Sequence, residues 1–239
     1  MKNIKESIKS VIAKVLHRDR GVTVEALRKI GVSIGSDVHF YDKAHIFVDK
    51  NFPWMLTIGN HVHITSGVHI LCHDYSWIVG KNYYHEVTGG IGKVTIGNNV
   101  FIGTEAIVLM NSEIGDNVII GAQSVVCGKI PNNCVAVGSP AKPIMSLDEY
   151  WQRRKAKQYE EAVQLVLEYK KRYDVYPPKE KLPAYFYLFE PRSRESIENN
   201  SVFKSRLELG GNYKECLDNF MCSEPLFDSY ESFLKSISE

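Results

Sequence analysis

Ile96-Gly97-Asn98-Asn99-Val100-Phe101-Ile102-Gly103 and Ile114-Gly115-Asp116-Asn117-Val118-Ile119-Ile120-Gly121-Ala122 are two copies of one short unit. A large aliphatic residue stands before Gly, and the next comes six residues later. Outward from this stretch the same position falls on Ile34, Phe40, Ile46, Phe52, Ile58, Ile64 and Ile70, then on Val108 and Val126. A small or branched residue follows four positions on, at Val38, Val62, Val68, Val100, Ala106, Val118 and Ser124. A fixed short period means one unit stacked on copies of itself. Six residues are too few for a helical hairpin but suit a short strand and a corner. Gly and Asn at Gly59-Asn60, Gly97-Asn98-Asn99 and Gly115-Asp116-Asn117 supply the tight backbone of the corners. A β-sandwich would instead show period-two alternation with turns every ~8–12 residues. The expected fold is mainly β, a parallel β-helix over residues 32–145.

The flanks break the period. Residues 1–31 read as an N-terminal helical segment, with a basic amphipathic helix to about residue 20 and a second short helix over 23–30. A helix of the first kind can make peripheral contact with an anionic membrane or pack against protein. Its modest, aromatic-free stripe (Ile4, Ile8, Val11, Ile12, Val15, Leu16) favours packing. Residues 75–92 interrupt the coil, because the step from Ile70 to Ile96 is not a multiple of six. This segment is expected to leave the coil as a loop, and long loops on rigid scaffolds are usually functional. Residues 146–239 have no repeat and are rich in aromatics, and are expected to form a mostly helical extension. Asp148 and Glu149 suit the first turn of a helix over 147–172, and Lys170, Lys171 and Arg172 its last.

Composition narrows the function. A net charge of +1 gives no reason to expect nucleic acid as a partner. Five scattered cysteines form no zinc spacing and point to a reducing compartment. No secretory leader and no membrane-spanning apolar run is visible, so a cytoplasmic location is expected.

The two quoted units, with Val137-Gly138-Ser139-Pro140-Ala141-Lys142, resemble the hexapeptide-repeat acyltransferases, in particular their sugar and antibiotic O-acetyltransferase branch. The resemblance covers about residues 30–145. It implies a left-handed parallel β-helix with three strands per turn, a homotrimer with active sites between subunits, and acetyl-CoA as donor. It also implies a carbohydrate hydroxyl as acceptor, on a cell-surface polysaccharide or its precursor. His73 matches the place of the family's catalytic base, at the end of a strand beside the loop. A histidine titrating near neutrality is a natural base for a hydroxyl attacking a thioester. Direct attack is expected, without an acetyl-enzyme. Cys72 is no partner for it, because neighbours on a strand face opposite ways. Asp74 could orient the imidazole, touch substrate or cap its own loop. Tyr75, Trp77 and Tyr84, with Tyr83, could stack on a sugar ring or fill a gap between subunits, and His85 and Glu86 are candidate acceptor contacts. For the donor the resemblance implicates Gly103, Thr104, Gly121, Ala122, Ser139 and Lys142, with glycine letting the ligand approach the backbone and Lys142 meeting phosphate. Lys129 could supply a contact that Cys127-Gly128 lacks.

Three rival readings remain. The same machinery serves antibiotic or amino-sugar N-acetyltransferases. A coil rich in His39, His45, His61, His63 and His69 could hold zinc, as in γ-type carbonic anhydrases, although their ligand spacing is absent and no metal is expected. A non-catalytic scaffold is the third, against which the His73 and its adjacent loop argue.

Overall fold

The computed structural model describes residues 21–238, so the amphipathic helix expected over residues 1–20 lies outside the described residues. The chain forms two compact units that meet in sequence at Tyr150 and Trp151.

In the first unit, helix α1 (Val24–Ile30) is capped by Thr23, whose hydroxyl accepts from the Ala26 N–H. The coil follows. Its first turn is β1 (Ser33–Ile34), β2 (His39–Phe40) and β3 (Phe47–Val48). The second is β4 (Leu56–Ile58), β5 (Val62–Ile64) and β6 (His69–Ile70). The third is β7 (Val94–Ile96), β8 (Val100–Ile102) and β9 (Ile107–Val108), and the fourth β10 (Glu113–Ile114), β11 (Val118–Ile120) and β12 (Val125–Val126). β13 (Lys129–Ile130) and β14 (Cys134–Gly138) begin a fifth, which β15 (Ala141–Ser146) ends by folding back antiparallel on β14. Each strand pairs in parallel with its equivalent one turn away. Three parallel sheets result: β1-β4-β7-β10-β13, then β2-β5-β8-β11-β14 with β15 on its edge, and β3-β6-β9-β12. We call them the first, second and third faces of the coil.

The core is the stack of inward residues, from Leu56, Ile58, Val62, Ile64, Val68 and Ile70 through the matching positions of the next turns, all buried. The period is less regular than the sequence reading supposed. Val48, not Ile46 alone, ends the first turn, and Phe52 is not a core position: Val48 lies beside Ile70 while Phe52 sits at a corner, half-exposed. Ile46 is buried in the place that Val68 takes one turn later. The turns are kept equivalent by hydrogen bonds between stacked strands, not by equal spacing, so insertions are absorbed at corners.

The interruption at 75–92 is also not only a loop. It contains an exposed helix, α2 (Trp77–Tyr84), and its neck is closed by backbone bonds from Asp74 N–H to Gly90 and from Gly92 N–H to Cys72.

The second unit is helical as expected. Helix α3 (Leu147–Tyr173) runs into it and is followed by α4 (Arg194–Glu198), α5 (Ser201–Glu208), α6 (Tyr213–Cys222) and α7 (Tyr230–Ser238). Its core is aromatic, with Phe186, Phe189, Phe203, Phe220 and Phe233 buried together. Buried Glu190 is held by Lys179 at 2.7 Å, and Arg192 bonds the carbonyls of Tyr187 and Glu190 while stacking on Phe220.

Candidate active site

The third face ends in a sharp corner after β6, and His73 stands there. Cys72 before it points into the core and is fully buried. Burial, then the nearby Asp49 charge, pushes its thiol up to about 11, so it is neither a thiolate nor a nucleophile. His73 faces outward, with only 14% of its side chain exposed.

The imidazole is fixed at both nitrogens. Nδ1 donates to Asp49 Oδ2, a carboxylate at the same corner one turn earlier. Asp49 is 2% exposed and also accepts from the backbone N–H of Asn51 at 2.9 Å and of Cys72 at 3.1 Å. Burial would raise its carboxyl, but those two backbone donors and His73 outweigh it and hold the carboxyl below its ordinary value. An ionised carboxylate only accepts, so Nδ1 carries the proton and Nε2 the lone pair. The second contact agrees, since the Asn51 side-chain amide lies with Nδ2 3.2 Å from Nε2 and donates to it. A lone pair aimed outward, backed by a buried anion, is what a general base requires. Two aromatic arms flank it. Phe52 and Tyr75 stand edge-on to the imidazole, at 5.3 and 5.1 Å between centroids. Trp54 lies against Phe52 and Trp77 against Tyr75.

Several expectations change here. The residue that orients the imidazole is Asp49, not Asp74. Asp74 Oδ1 accepts from the N–H and hydroxyl of Ser76, and those bonds lower its carboxyl. Tyr75 and Trp77 join the site, whereas Tyr84, His85 and Glu86 lie at or beyond the far end of α2, exposed, with no contact to His73 among the described interactions. Tyr83 packs on Tyr84 instead. Asp49, Asn51, Phe52 and Trp54 were missed.

The donor candidates line another corner, between the second and third faces. A Cβ on Gly103 would come within 2.5 Å of the Ala122 nitrogen, and one on Gly121 within 2.6 Å of a Val137 methyl. These glycines are required by the neighbouring turn, a reason the sequence reading did not give. Thr104, Ala122, Ser139 and Lys142 are exposed along the same side, and the Ser139–Pro140 peptide is cis. Lys129 is paired with Glu113 at 2.9 Å, which occupies the ammonium suggested for a donor contact. Glu105 in this corner donates its N–H to Ser66, at the opposite end of β6 from His73. In one chain the two rows are therefore separated by the width of the third face, about 15 Å for a five-residue run.

Among the described residues, the histidines on the first two turns of the coil have partners of their own. Asp37 accepts from His39 at 2.6 Å and His61 at 2.8 Å, which with His61 leading lowers its carboxyl. His63 bonds the Tyr41 hydroxyl and stacks on His39. Among the described residues no group of three or more His, Cys, Asp or Glu could hold a metal ion.

Comparison with known proteins agrees with the coil. The family described as bacterial transferase hexapeptide (six repeats) matches residues 93–128. Protein CapG of Staphylococcus aureus is 37% identical over 147 residues, covering 60% of this chain and 81% of that protein. The galactoside O-acetyltransferase of Escherichia coli K12 is 32% identical over 125 residues, covering 49% of this chain and 58% of that protein. The chain belongs to the hexapeptide-repeat acyltransferase family and is an acetyltransferase.

Proposed function

We propose that the protein is a homotrimeric, acetyl-CoA-dependent O-acetyltransferase that modifies a sugar hydroxyl of a cell-surface polysaccharide or its precursor. The observation that carries this reading is the Asp49–His73 pair, with Nε2 turned to the Asn51 amide and the rings of Phe52 and Tyr75 edge-on to the imidazole. Rings of this kind suit the C–H faces of a pyranose. The name of the Escherichia coli relative, a galactoside O-acetyltransferase, supports the same acceptor class.

The acceptor hydroxyl stands at Nε2 and attacks the thioester carbonyl. Its proton passes to Nε2 as the new C–O bond forms, and the imidazolium is stabilised by Asp49. The tetrahedral intermediate collapses, the C–S bond breaks, and the imidazolium returns the proton to the departing thiolate. The products are an acetyl ester and CoA. Acetyl-CoA as the proposed donor goes with a cytoplasmic reaction.

Two features support the trimer. Outward residues on the first face are polar: Ser33, Thr57, Thr95, Glu113 and Lys129. The second face carries Phe101 and Ile119 in register, and the third Phe47, Ile107 and Val125. Two apolar faces on one chain fit a closed ring in which each copy meets two others. Such a ring also brings the donor row of one copy towards His73 of the next, which one chain keeps apart.

Thiol release from acetyl-CoA with a panel of sugars, oligosaccharides and antibiotics tests the reading. Wild type releases CoA only with sugar acceptors, and His73→Ala loses about 10²- to 10⁴-fold while still binding acetyl-CoA. Release unchanged by His73→Ala removes the mechanism, and release only with antibiotics or amines removes the acceptor.

A further inference from the structure

The corner between β3 and β4 is longer than the coil requires. Six residues suffice from Ile58 to Ile64, but the chain uses ten from Val48 to Ile58. The extra residues form a 3-10 turn, Pro53–Met55, anchored by buried Pro53. The corner carries Asn51, Phe52 and Trp54, and it leaves Trp54 69% exposed. Nothing in the packing of the coil asks for a large apolar ring in that place.

Its contents are ordered outward from the base. Asn51 Nδ2, 3.2 Å from His73 Nε2, stands where the attacking oxygen must stand. The backbone N–H of Asn51 is tied to Asp49 Oδ1, so its side chain yields by rotation only and stays beside the reacting hydroxyl. Phe52 lies next, edge-on to the imidazole, and Trp54 lies beyond Phe52 at 5.9 Å. One polar group at the base and two rings in sequence leading away from it match a chain of sugar units better than a single one.

Resting on the sugar O-acetyltransferase reading, we propose that the Asn51–Trp54 corner is an acceptor-recognition element for oligosaccharides. Asn51 and Phe52 position the ring being acetylated, and Trp54 stacks the adjoining ring. The acceptor class is therefore a glycan of at least two residues.

The test uses the full chain, with methyl pyranosides and the corresponding disaccharides as acceptors. Thiol release, acetyl-CoA binding by calorimetry and mass by sedimentation are read together. Wild type has the lower KM for disaccharides. Trp54→Ala raises the disaccharide KM about three- to tenfold, with kcat within about twofold, and raises the monosaccharide KM by much less. Asn51→Asp, which keeps the shape but loses the amide donor, lowers kcat/KM by about tenfold or more for both acceptors with acetyl-CoA affinity unchanged. Equal effects of Trp54→Ala on mono- and disaccharides overturn the proposal. A changed oligomeric mass does so too, because Trp54 is then part of a subunit contact. If wild type acetylates no sugar at all, the parent reading fails. If it acetylates sugars without preferring disaccharides, only this inference fails.

Discussion

Asp49 remains an anion in a nearly closed site because three donors converge on it: two backbone N–H groups and His73 Nδ1. The same bonds that hold its carboxyl below the ordinary value make it a stability element. A depressed carboxyl contributes stability that is present above the unfolded value, near pH 4, and is lost as pH falls through the folded one. Denaturation midpoints of wild type and Asp49→Asn therefore differ most at neutral pH and converge only once the pH has fallen below the depressed value of the folded carboxyl. A constant gap across that range would show that the carboxylate's charge is not involved. The same substitution lowers kcat by about 10²- to 10⁴-fold, because an amide can present its N–H to Nδ1 and no longer enforces the tautomer. His73 was singled out through its match to the place of the family's base, at the end of a strand beside an interruption. Asp49 was not. Its partner lies one turn away at the same corner, and finding it requires the length of a turn, which the insertion at Asn51–Trp54 conceals.

At the scale of the element, glycine is set by the turn above. A Cβ on Gly97 would lie 2.7 Å from the Gly115 carbonyl carbon and 2.5 Å from Asp116 Oδ1. That oxygen also accepts from Asn98, in a ladder in which Ser36, Asn60, Asn98 and Asp116 each donate a backbone N–H to the next turn's side chain. Gly97→Ala must push one turn from the next and break a rung, so it should cost about 1–3 kcal/mol. Gly89→Ala, where nothing lies within 4 Å, should be neutral or slightly stabilising. Thermal unfolding of the pair checks this, and equal melting temperatures would refute the stacking argument. The regular third and fourth turns were readable because Ile96, Ile102 and Val108 lie on Ile114, Ile120 and Val126, each eighteen residues on. Helix α2 was not readable, because its residues bury no face and leave no apolar period. The second unit was readable as helical but not in its packing, since an aromatic core of separated Phe residues has no repeat to count.

At the scale of the molecule, the outward columns of the coil bear on the proposed ring. Phe101 pairs across the second face with His63 on one side and Ile119 on the other, and all three point outward. Phe101 is 41% exposed in the single chain, and Phe47 on the third face 49%. A charge at the centre of the second face should be tolerated by the coil, whose core lies on the other side of the strand. It should not be tolerated by a copy docked there, because an ammonium would lose its water without gaining a partner. The proposed ring therefore predicts that Ile119→Lys sediments as a monomer with unchanged circular dichroism. It also predicts that acetyl transfer falls with the mass, since donor row and base come from different copies. Mixing tests that last step. His73→Ala and a variant with a bulky Ala122→Trp at the exposed edge of the donor row should each be inactive alone. In a mixed ring some sites combine the intact donor row of the first with the intact base of the second, and partial activity returns. No recovery on mixing, with mixed rings present, would place base and donor row in the same chain.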